Sequence, residues 1–513
     1  MDRWALTLFL SAQAVALAVL LHRFGFPLAY LSPGNIAQRL SAASTLDVRG
    51  IDDPVILLSR RVVAPEGVMT AAVYVQGGKI LQVLPIGLAD LNSSIRVIDY
   101  GNAVLAPGII DPHVHLNEPG REKWEGIKTG TKAAAAGGIT TVIDMPLNSN
   151  PPTIDKGSTR LKLMLAKGRS YVNFGVWAGL VPKNAGKASV LRGCIRNGAR
   201  GVKAFLSPSG IPEFPHSSAA NLSRALPVLM EEGVPLYVHA ELESKAKTNF
   251  WGNEGHLASR PPRFERDAIK MVIGVMRDLQ KTEYKLGFRV HIAHLSDAES
   301  LKIIKEAKAS GLPISVETCP HYLKFDSDDV PWDAPEFKCA PPIRDKRNQH
   351  RLWDALLNGD IDMLGSDHSP APANMKKRSN FVWDFKSTWG GISGLQYTLP
   401  ALWSAAKHRK LTLKRLVEVF SENPAKLANL HRTKGKIKAG YDADIMVWDP
   451  DKLADTSKGG CYHRHKLTPY RDLEMKGRVL ATWVGGRLAF EDGKGVTRTP
   501  YGKAIGMEKW KKV

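Results

Sequence analysis

Ile109-Ile-Asp-Pro-His113-Val-His115-Leu-Asn117 is a short apolar run that ends in a pair of histidines. Side chains at i and i+2 of a strand share a face, so His113 and His115 can grip one metal ion together. A strand that is apolar along its length and reactive at its C-terminal end suits a buried parallel sheet with its chemistry on one rim. The chain repeats the unit. Apolar runs at 109–114, 140–145, 172–177, 200–205, 236–239, 288–293, 314–317 and 361–365 alternate with helix-like stretches such as 124–136, 219–232, 266–280 and 298–310. Glycines such as Gly137, Gly138, Gly198, Gly233, Gly287 and Gly311 punctuate their ends. Eight such strands predict an α/β fold, most economically a closed (β/α)8 TIM barrel. No Gly-x-Gly-x-x-Gly follows the first strand, which counts against an open dinucleotide-binding sheet.

The flanks read differently. Strand-like pieces at 55–58, 71–75, 79–83 and 95–99 are matched by others at 444–448, 479–484 and 487–490, with turn pairs Gly77-Gly78 and Gly485-Gly486. These predict one small β-sandwich domain assembled from both chain ends, residues 51–105 and 431–492, with the barrel at 106–430 inserted between. Residues 493–513 form a basic C-terminal tail. Residues 5–21, ALTLFLSAQAVALAVLL, carry no charge and follow Arg3. With the linker after them, residues 1–50 read as a signal peptide or signal anchor rather than a piece of the fold. Ser-Ala-Ala-Ser at 41–44 is a cleavage candidate, and Asn92-Ser-Ser and Asn221-Leu-Ser match a glycosylation triplet.

Composition narrows the classes. Of 513 residues, 43% are hydrophobic and 24% charged, which excludes wholesale disorder. The four cysteines are widely spaced with no Cys-x-x-Cys, which excludes a disulfide scaffold. The net charge of +21 hints at polyanionic partners. No nucleic-acid-binding module accompanies it.

The other strand ends carry further candidate ligands. Lys203 sits inside the fourth run, flanked by Val, Ala, Phe and Leu. A buried ammonium is costly, and the neutral amine it favours can take up CO2 as a carbamate, an anionic oxygen ligand. His239 ends the fifth run and Asp367 the eighth. His291 and His294 are three apart, so alternation puts them on opposite faces and only one faces the interior; position at the strand end favours His294. Imidazole and oxygen ligands suit zinc or a similar divalent ion. Six ligands exceed one tetrahedral ion, whereas two ions sharing a bridging carbamate use them all. Such ions acidify bound water and polarise a carbonyl, so the hydroxide attacks an amide carbon. Asp367 takes the proton as general base and returns it to the leaving nitrogen.

This pattern resembles the cyclic amidohydrolases: dihydroorotases, dihydropyrimidinases (hydantoinases) and allantoinases. The resemblance spans about residues 53–492 and rests on Pro107-Gly-Ile-Ile-Asp-Pro-His-Val-His, Gly138-Ile-Thr-Thr-Val-Ile-Asp-Met-Pro, Glu317-Thr-Cys-Pro-His-Tyr, Gly365-Ser-Asp-His-Ser-Pro and Gly435-Lys-Ile-Lys-Ala-Gly-Tyr-Asp-Ala-Asp. Within the group, the allantoinases look most similar. The stretches that carry this are His115-Leu-Asn-Glu-Pro-Gly-Arg121, Asp144-Met-Pro-Leu-Asn148, Ser259-Arg-Pro-Pro, Trp389-Gly-Gly-Ile-Ser-Gly-Leu-Gln396 and Tyr462-His-Arg-His-Lys-Leu-Thr-Pro-Tyr470. The resemblance implies that His113, His115 and Asp367 hold one metal ion, that His239 and His294 hold the other, and that carboxylated Lys203 bridges them. It implies hydrolytic opening of the hydantoin ring of (S)-allantoin to allantoate in purine degradation, with zinc, cobalt or manganese all suited to the ligands and zinc the first expectation. Asn117 stands where dihydroorotases typically have Arg, consistent with an uncharged ring. Asn117, Asn148 and Ser369 are the expected substrate contacts. A homotetramer, a secretory-pathway (endoplasmic reticulum) location and membrane association through the N-terminal segment are further implications. The alternatives are a dihydropyrimidinase or hydantoinase, and a non-catalytic scaffold on the same barrel.

The charge concentrates. Residues 156–212 hold eleven Lys or Arg and no Asp or Glu. One is Lys203. Arg160, Lys162, Lys167, Lys187, Arg192 and Arg196 fall on expected outer helices and read as a solvated basic face. Lys494, Arg498, Lys503, Lys509, Lys511 and Lys512 add to it in the tail. With a neutral substrate, this charge reads as solubility or a membrane surface near the leader.

Overall fold

Two glycine pairs set the turns of the flanking sheet. Gly77 and Gly78 have φ of 57° and 77°, and Gly485 and Gly486 have 54° and 76°. Consecutive positive φ values match the twist of a two-residue hairpin, which is why glycine occupies them. The computed structural model of the chain describes residues 53–86, 89, 95–244, 246, 252–279, 285–376, 385 and 388–508. The apolar run at 5–21, the 41–44 stretch and the Asn92 triplet lie outside the described residues.

Five strands come first: β1 (Val55–Ala64), β2 (Gly67–Gln76), β3 (Lys79–Pro85), β4 (Arg96–Asp99) and β5 (Val104–Pro107). The barrel strands follow: β6 (Ile109–Val114), β7 (Ile139–Asp144), β8 (Asn173–Val176), β9 (Ala178–Leu180), β10 (Val202–Phe205), β11 (Leu236–His239), β12 (Val290–Ile292), β13 (Ile314–Thr318) and β14 (Met363–Leu364). Last are β15 (Ile445–Leu453), β16 (Lys476–Val484), β17 (Arg487–Glu491) and β18 (Gly495–Val496). The end strands form one sheet in the order β18-β17-β16-β15-β5-β1-β2-β3, with β4 also on β1. Apolar side chains from both chain ends, such as Val55, Leu57, Ile445 and Trp483, pack its core.

The barrel strands pair in parallel as β6-β7-β8 and β14-β13-β12-β11-β10-β9. Each apolar run of the sequence yields a strand whose ends fall within two residues of the expected ones. The third run is longer than its apolar core suggests. Trp177 separates β8 from β9, and there the chain changes partner, β8 lying against β7 and β9 against β10. The eighth and first positions meet through a parallel bridge between Val114 and His368. The His115 amide donates to the His368 carbonyl at 2.8 Å. Asp111 Oδ1 accepts the amides of His113 at 3.0 Å and Ser366 at 3.1 Å, tying the same two elements together.

The helices show ordinary reasons for their limits. Ser218 caps Ala219–Glu232 by accepting the Asn221 amide, and Gly233 ends it at φ 65°. Asn221 returns the capping bond through Oδ1, so the residue of that glycosylation triplet serves as a helix cap. Arg263–Asp278 buries Phe264, Ala268, Ile269, Val272, Ile273 and Met276, the spacing of a one-faced amphipathic helix.

Two readings of the basic segments need correction. Lys162 is wholly buried, and its Nζ donates to Asp144 Oδ2 and to the Met145 carbonyl, both at 2.7 Å. It is not part of a solvated face. Arg192 pairs with Glu231, and Arg196 with Glu232 at 2.8 Å. A segment without acids of its own thus meets acids from the next helix, a pairing invisible along the chain. Residues 502–505 of the tail are also docked. Gly502 donates its amide to Ser170, Lys503 accepts from the Phe174 amide, and Ile505 donates back to the Phe174 carbonyl at 2.8 Å. Ile505 is buried beside Leu427 and Ala428. Burial of one such side chain contributes about 2 kcal/mol.

Gly502→Ala is expected to detach this segment, because a Cβ there would lie 1.8 Å from the Val172 carbonyl oxygen. Limited tryptic digestion should then cut at Arg498 and Lys503 well before the barrel. The melting temperature should fall by a few degrees. Cleavage and melting identical to wild type would contradict the docked arrangement.

Candidate active site

The expected ligands gather at the barrel's C-terminal rim because each stands within or just past a barrel strand. β6 delivers His113 and, one step past its end, His115. β10 delivers Lys203 and β11 delivers His239; His294 and Asp367 follow β12 and β14. His113, His115 and Asp367 converge so that one ligand atom of each lies within 4.8 Å of the others. Among the described residues no other three His, Cys, Asp or Glu side chains are so gathered. Asp367 Oδ1 stands 3.3 Å from His113 Nε2 and 3.6 Å from His115 Nε2. The His113 ring stacks on His294 at 5.2 Å between centroids, and His294 meets His239 edge-on at 4.6 Å. All six expected ligands are thus at one end of the barrel, in two adjoining groups.

Burial sets their protonation. It holds the His113, His239 and His294 imidazoles below their usual pKa, with Lys203 adding to the effect on each. Neutral imidazole is the metal-binding form. For Asp367, burial would raise the carboxyl, but His113 and His115 more than offset it and keep it ionised. Lys203 is wholly buried, with Nζ 4.7 Å from the centroid of Tyr237 and 5.1 Å from that of Phe205 and no hydrogen-bond partner. Its burial lowers the amine to about 8, equivalent to about 3 kcal/mol against the charged form. His294 Nδ1 is likewise buried without a hydrogen-bond partner. A convergent His2Asp set beside two orphaned nitrogens fits divalent metal in its donor chemistry.

Two carboxylates stand behind the histidines. Glu317, at the end of β13, lies 2.6 Å through Oε1 from His113 Nδ1. Glu241 lies 2.8 Å through Oε2 from His239 Nε2, and Arg260 donates to the same oxygen at 2.5 Å. Burial would raise the Glu241 carboxyl, but Arg260 and His239 bring it down to about 2. Neither stands in a paired motif, so neither is among the ligands expected from the sequence. Glu317 did carry a signal: a carboxylate closing the apolar run Ile-Ser-Val-Glu at a strand end.

The expectation that only one of His291 and His294 faces the interior is corrected. His291 Nδ1 is 2.8 Å from Ser315 Oγ, and its ring meets Tyr237 at 4.6 Å, inside the barrel. His294 faces inward as well. β12 ends at Ile292, and His294 has φ of 32°, so strand alternation no longer applies to it. Asp367 at 45° and Asn117 at 64° share the left-handed backbone. Non-glycine residues held there are strained, and such strain clusters at functional sites.

A cavity of about 380 Å³ opens over the cluster. Asn148, Ser369, Arg260, His256, Lys338 and Trp389 are on its wall. Asn117 is beneath the wall: it is fully buried, accepting from Asn148 Nδ2 at 3.2 Å and donating to the Pro370 carbonyl. It orients Asn148 instead of lining the cavity. Arg260 has its charge matched by Glu241 and Glu243, leaving a wall without a free cation at that point. The 462–470 stretch buttresses the Asp367 loop from behind. His463 accepts the Gln396 amide and packs on His368 at 4.8 Å, Arg464 bonds Glu125, and Thr468 donates to Ser393.

The chain matches the amidohydrolase family over residues 104–489 and the allantoinase composite domain over residues 56–103. It is 43% identical to the allantoinase of Arabidopsis thaliana over 450 residues, covering 85% of this chain and 88% of that protein. It is 42% identical to the allantoinase of Streptomyces avermitilis over 461 residues, covering 89% and 99%. Among solved structures it resembles the L-hydantoinase (dihydropyrimidinase) from Arthrobacter aurescens, with a TM-score of 0.81 and 29% identity over 88% of this chain and 99% of that one.

Asp144, besides binding Lys162, accepts the Leu116 amide at 2.7 Å and so holds the backbone just after His115. Lys162→Met should leave that carboxylate buried without its cation. The loss of unfolding free energy at pH 7 should be about 3 kcal/mol, measured in urea. A change under 1 kcal/mol would show that the pair does not carry the loop.

Proposed function

The chain belongs to the amidohydrolase family, and we propose that it hydrolyses the cyclic amide of (S)-allantoin to give allantoate. The observation that carries this reading is the His113–His115–Asp367 cluster at the floor of the cavity, beside a buried, unpartnered Lys203. His113, His115 and Asp367 would hold one divalent ion, His239 and His294 a second, and Lys203 as its carbamate would bridge them, zinc being the ion these donors suit first. When bound, such ions supply Lewis-acid polarisation of the amide carbonyl and acidify water.

The residues themselves do the rest. Asp367, kept ionised, accepts the proton of the attacking water at its carboxylate and delivers it to the ring nitrogen as the C–N bond breaks. The ring opens to a carboxylate and a ureido group, so one water is consumed and no other reactant is needed. Asn148 and Ser369 on the wall, and the Trp389 indole Nε1, which has no hydrogen-bond partner, offer contacts for a neutral ureide. The internally neutralised Arg260 supports an uncharged ring. The apolar run at 5–21 supports an endoplasmic-reticulum address, and family precedent supports a homotetramer.

Purified protein should turn over (S)-allantoin, lose activity to a chelator and regain it with zinc. It should prefer allantoin to hydantoin and dihydrouracil side by side; the reverse preference would favour a hydantoinase. Asp367→Asn should lower kcat by about 100-fold or more. Lys203→Ala should abolish activity, and full activity in that variant would sink the bridging role. Only the neutral amine reacts with CO2, and Lys203 becomes neutral as pH rises through about 8. Recovery of the metal-free protein in zinc at a fixed concentration of dissolved CO2 should therefore accelerate between pH 7 and 9.

A further inference from the structure

Glu317 is wholly buried at the end of β13, a strand that contributes none of the six expected ligands. Its Oε1 is 2.6 Å from His113 Nδ1 and accepts the His294 backbone amide at 3.3 Å. Its Oε2 stands 3.4 Å from His291 Nε2. The same carboxylate therefore touches one histidine from each of the two ligand groups. Space for it is tight: a Cβ on Gly365 would come within 2.8 Å of Oε2.

We propose that Glu317 is a positioning residue that couples the two halves of the metal centre, fixing the tautomer of His113 and the backbone of His294. A neutral imidazole carries one proton, and an ionised carboxylate can only accept. The His113 proton is thereby placed on Nδ1. Its Nε2 lone pair, 3.3 Å from Asp367 Oδ1, is left bare for a metal ion. His294 has the left-handed φ of 32° that lets its ring turn into the mouth, and a bond to its amide holds a conformation the residue would not otherwise keep. Carboxylates behind metal-binding histidines commonly change metal affinity by about 10- to 100-fold.

The inference rests on the metal-centre reading above, and zinc binding tests the two separately. Metal-free wild type, Glu317→Gln and Glu317→Leu would be titrated with zinc against a chromophoric chelator, with folding checked by circular dichroism. Wild type should bind two ions. Leu, which removes both acceptor and charge, should weaken zinc by about 10- to 100-fold. Gln keeps the volume and one acceptor, and should weaken it by a smaller factor of about three or more while leaving KM for allantoin unchanged and lowering kcat. Wild-type zinc affinity in a folded Leu variant, or in Gln if Leu does not fold, would overturn the positioning role. A wild type that binds no zinc would overturn the metal centre itself, and this proposal with it.

Discussion

Charge-bearing side chains buried together at one end of a parallel barrel must satisfy one another, and most of this molecule's architecture follows from that constraint. A lone buried ion costs several kcal/mol even after the surroundings relax. At this mouth the carboxylates have specific partners. Glu317 and Asp367 are ionised between histidines, Glu241 is held by Arg260 and His239, and Asp144 takes Lys162 and the Leu116 amide. His113, His239 and His294 answer burial by staying neutral. Lys203 Nζ and His294 Nδ1 are among the buried nitrogens that have no hydrogen-bond partner. Those two nitrogens sit where metal and carbamate chemistry would satisfy them.

Precision at the mouth comes from behind it. The Asp367 loop is tied to β6 through Asp111 and the bridge between Val114 and His368. The His463 and Arg464 stretch then packs on its outer side through Gln396 and Glu125. Residues close to the C-terminus thus brace a loop about 100 positions earlier, which accounts for a stretch so specific in sequence lying far from the substrate cavity. The end-strand sheet joins the barrel through Asp444, whose carboxylate receives Asn173, Lys434 and the Gly485 amide.

Much of this was legible in one dimension. Eight apolar runs bounded by glycine located the barrel strands because a strand buried on both faces needs continuous apolar residues. The gathering of His113, His115, Lys203, His239, His294 and Asp367 was legible because a side chain in or just past the end of a barrel strand reaches the rim. Asn117 was less so: its type was informative, but its depth, beneath Asn148, was not. His291 and His294 were misread because alternation holds only while the backbone is extended, and β12 stops two residues before His294. Lys162, Arg192 and Arg196 looked like a solvated face because their acidic partners belong to other elements.

The sequence by itself determined the periodicities, the strand-end chemistry and the family. These depend on neighbours one to four positions apart, which a linear pattern records. Only the tertiary structure decided which groups share a proton or a charge. The bond between His113 and Glu317 spans 204 positions, and that between Arg464 and Glu125 spans 339. Electrostatic partnership depends on distance through space in a low-dielectric interior, and the chain encodes that distance only once it is folded.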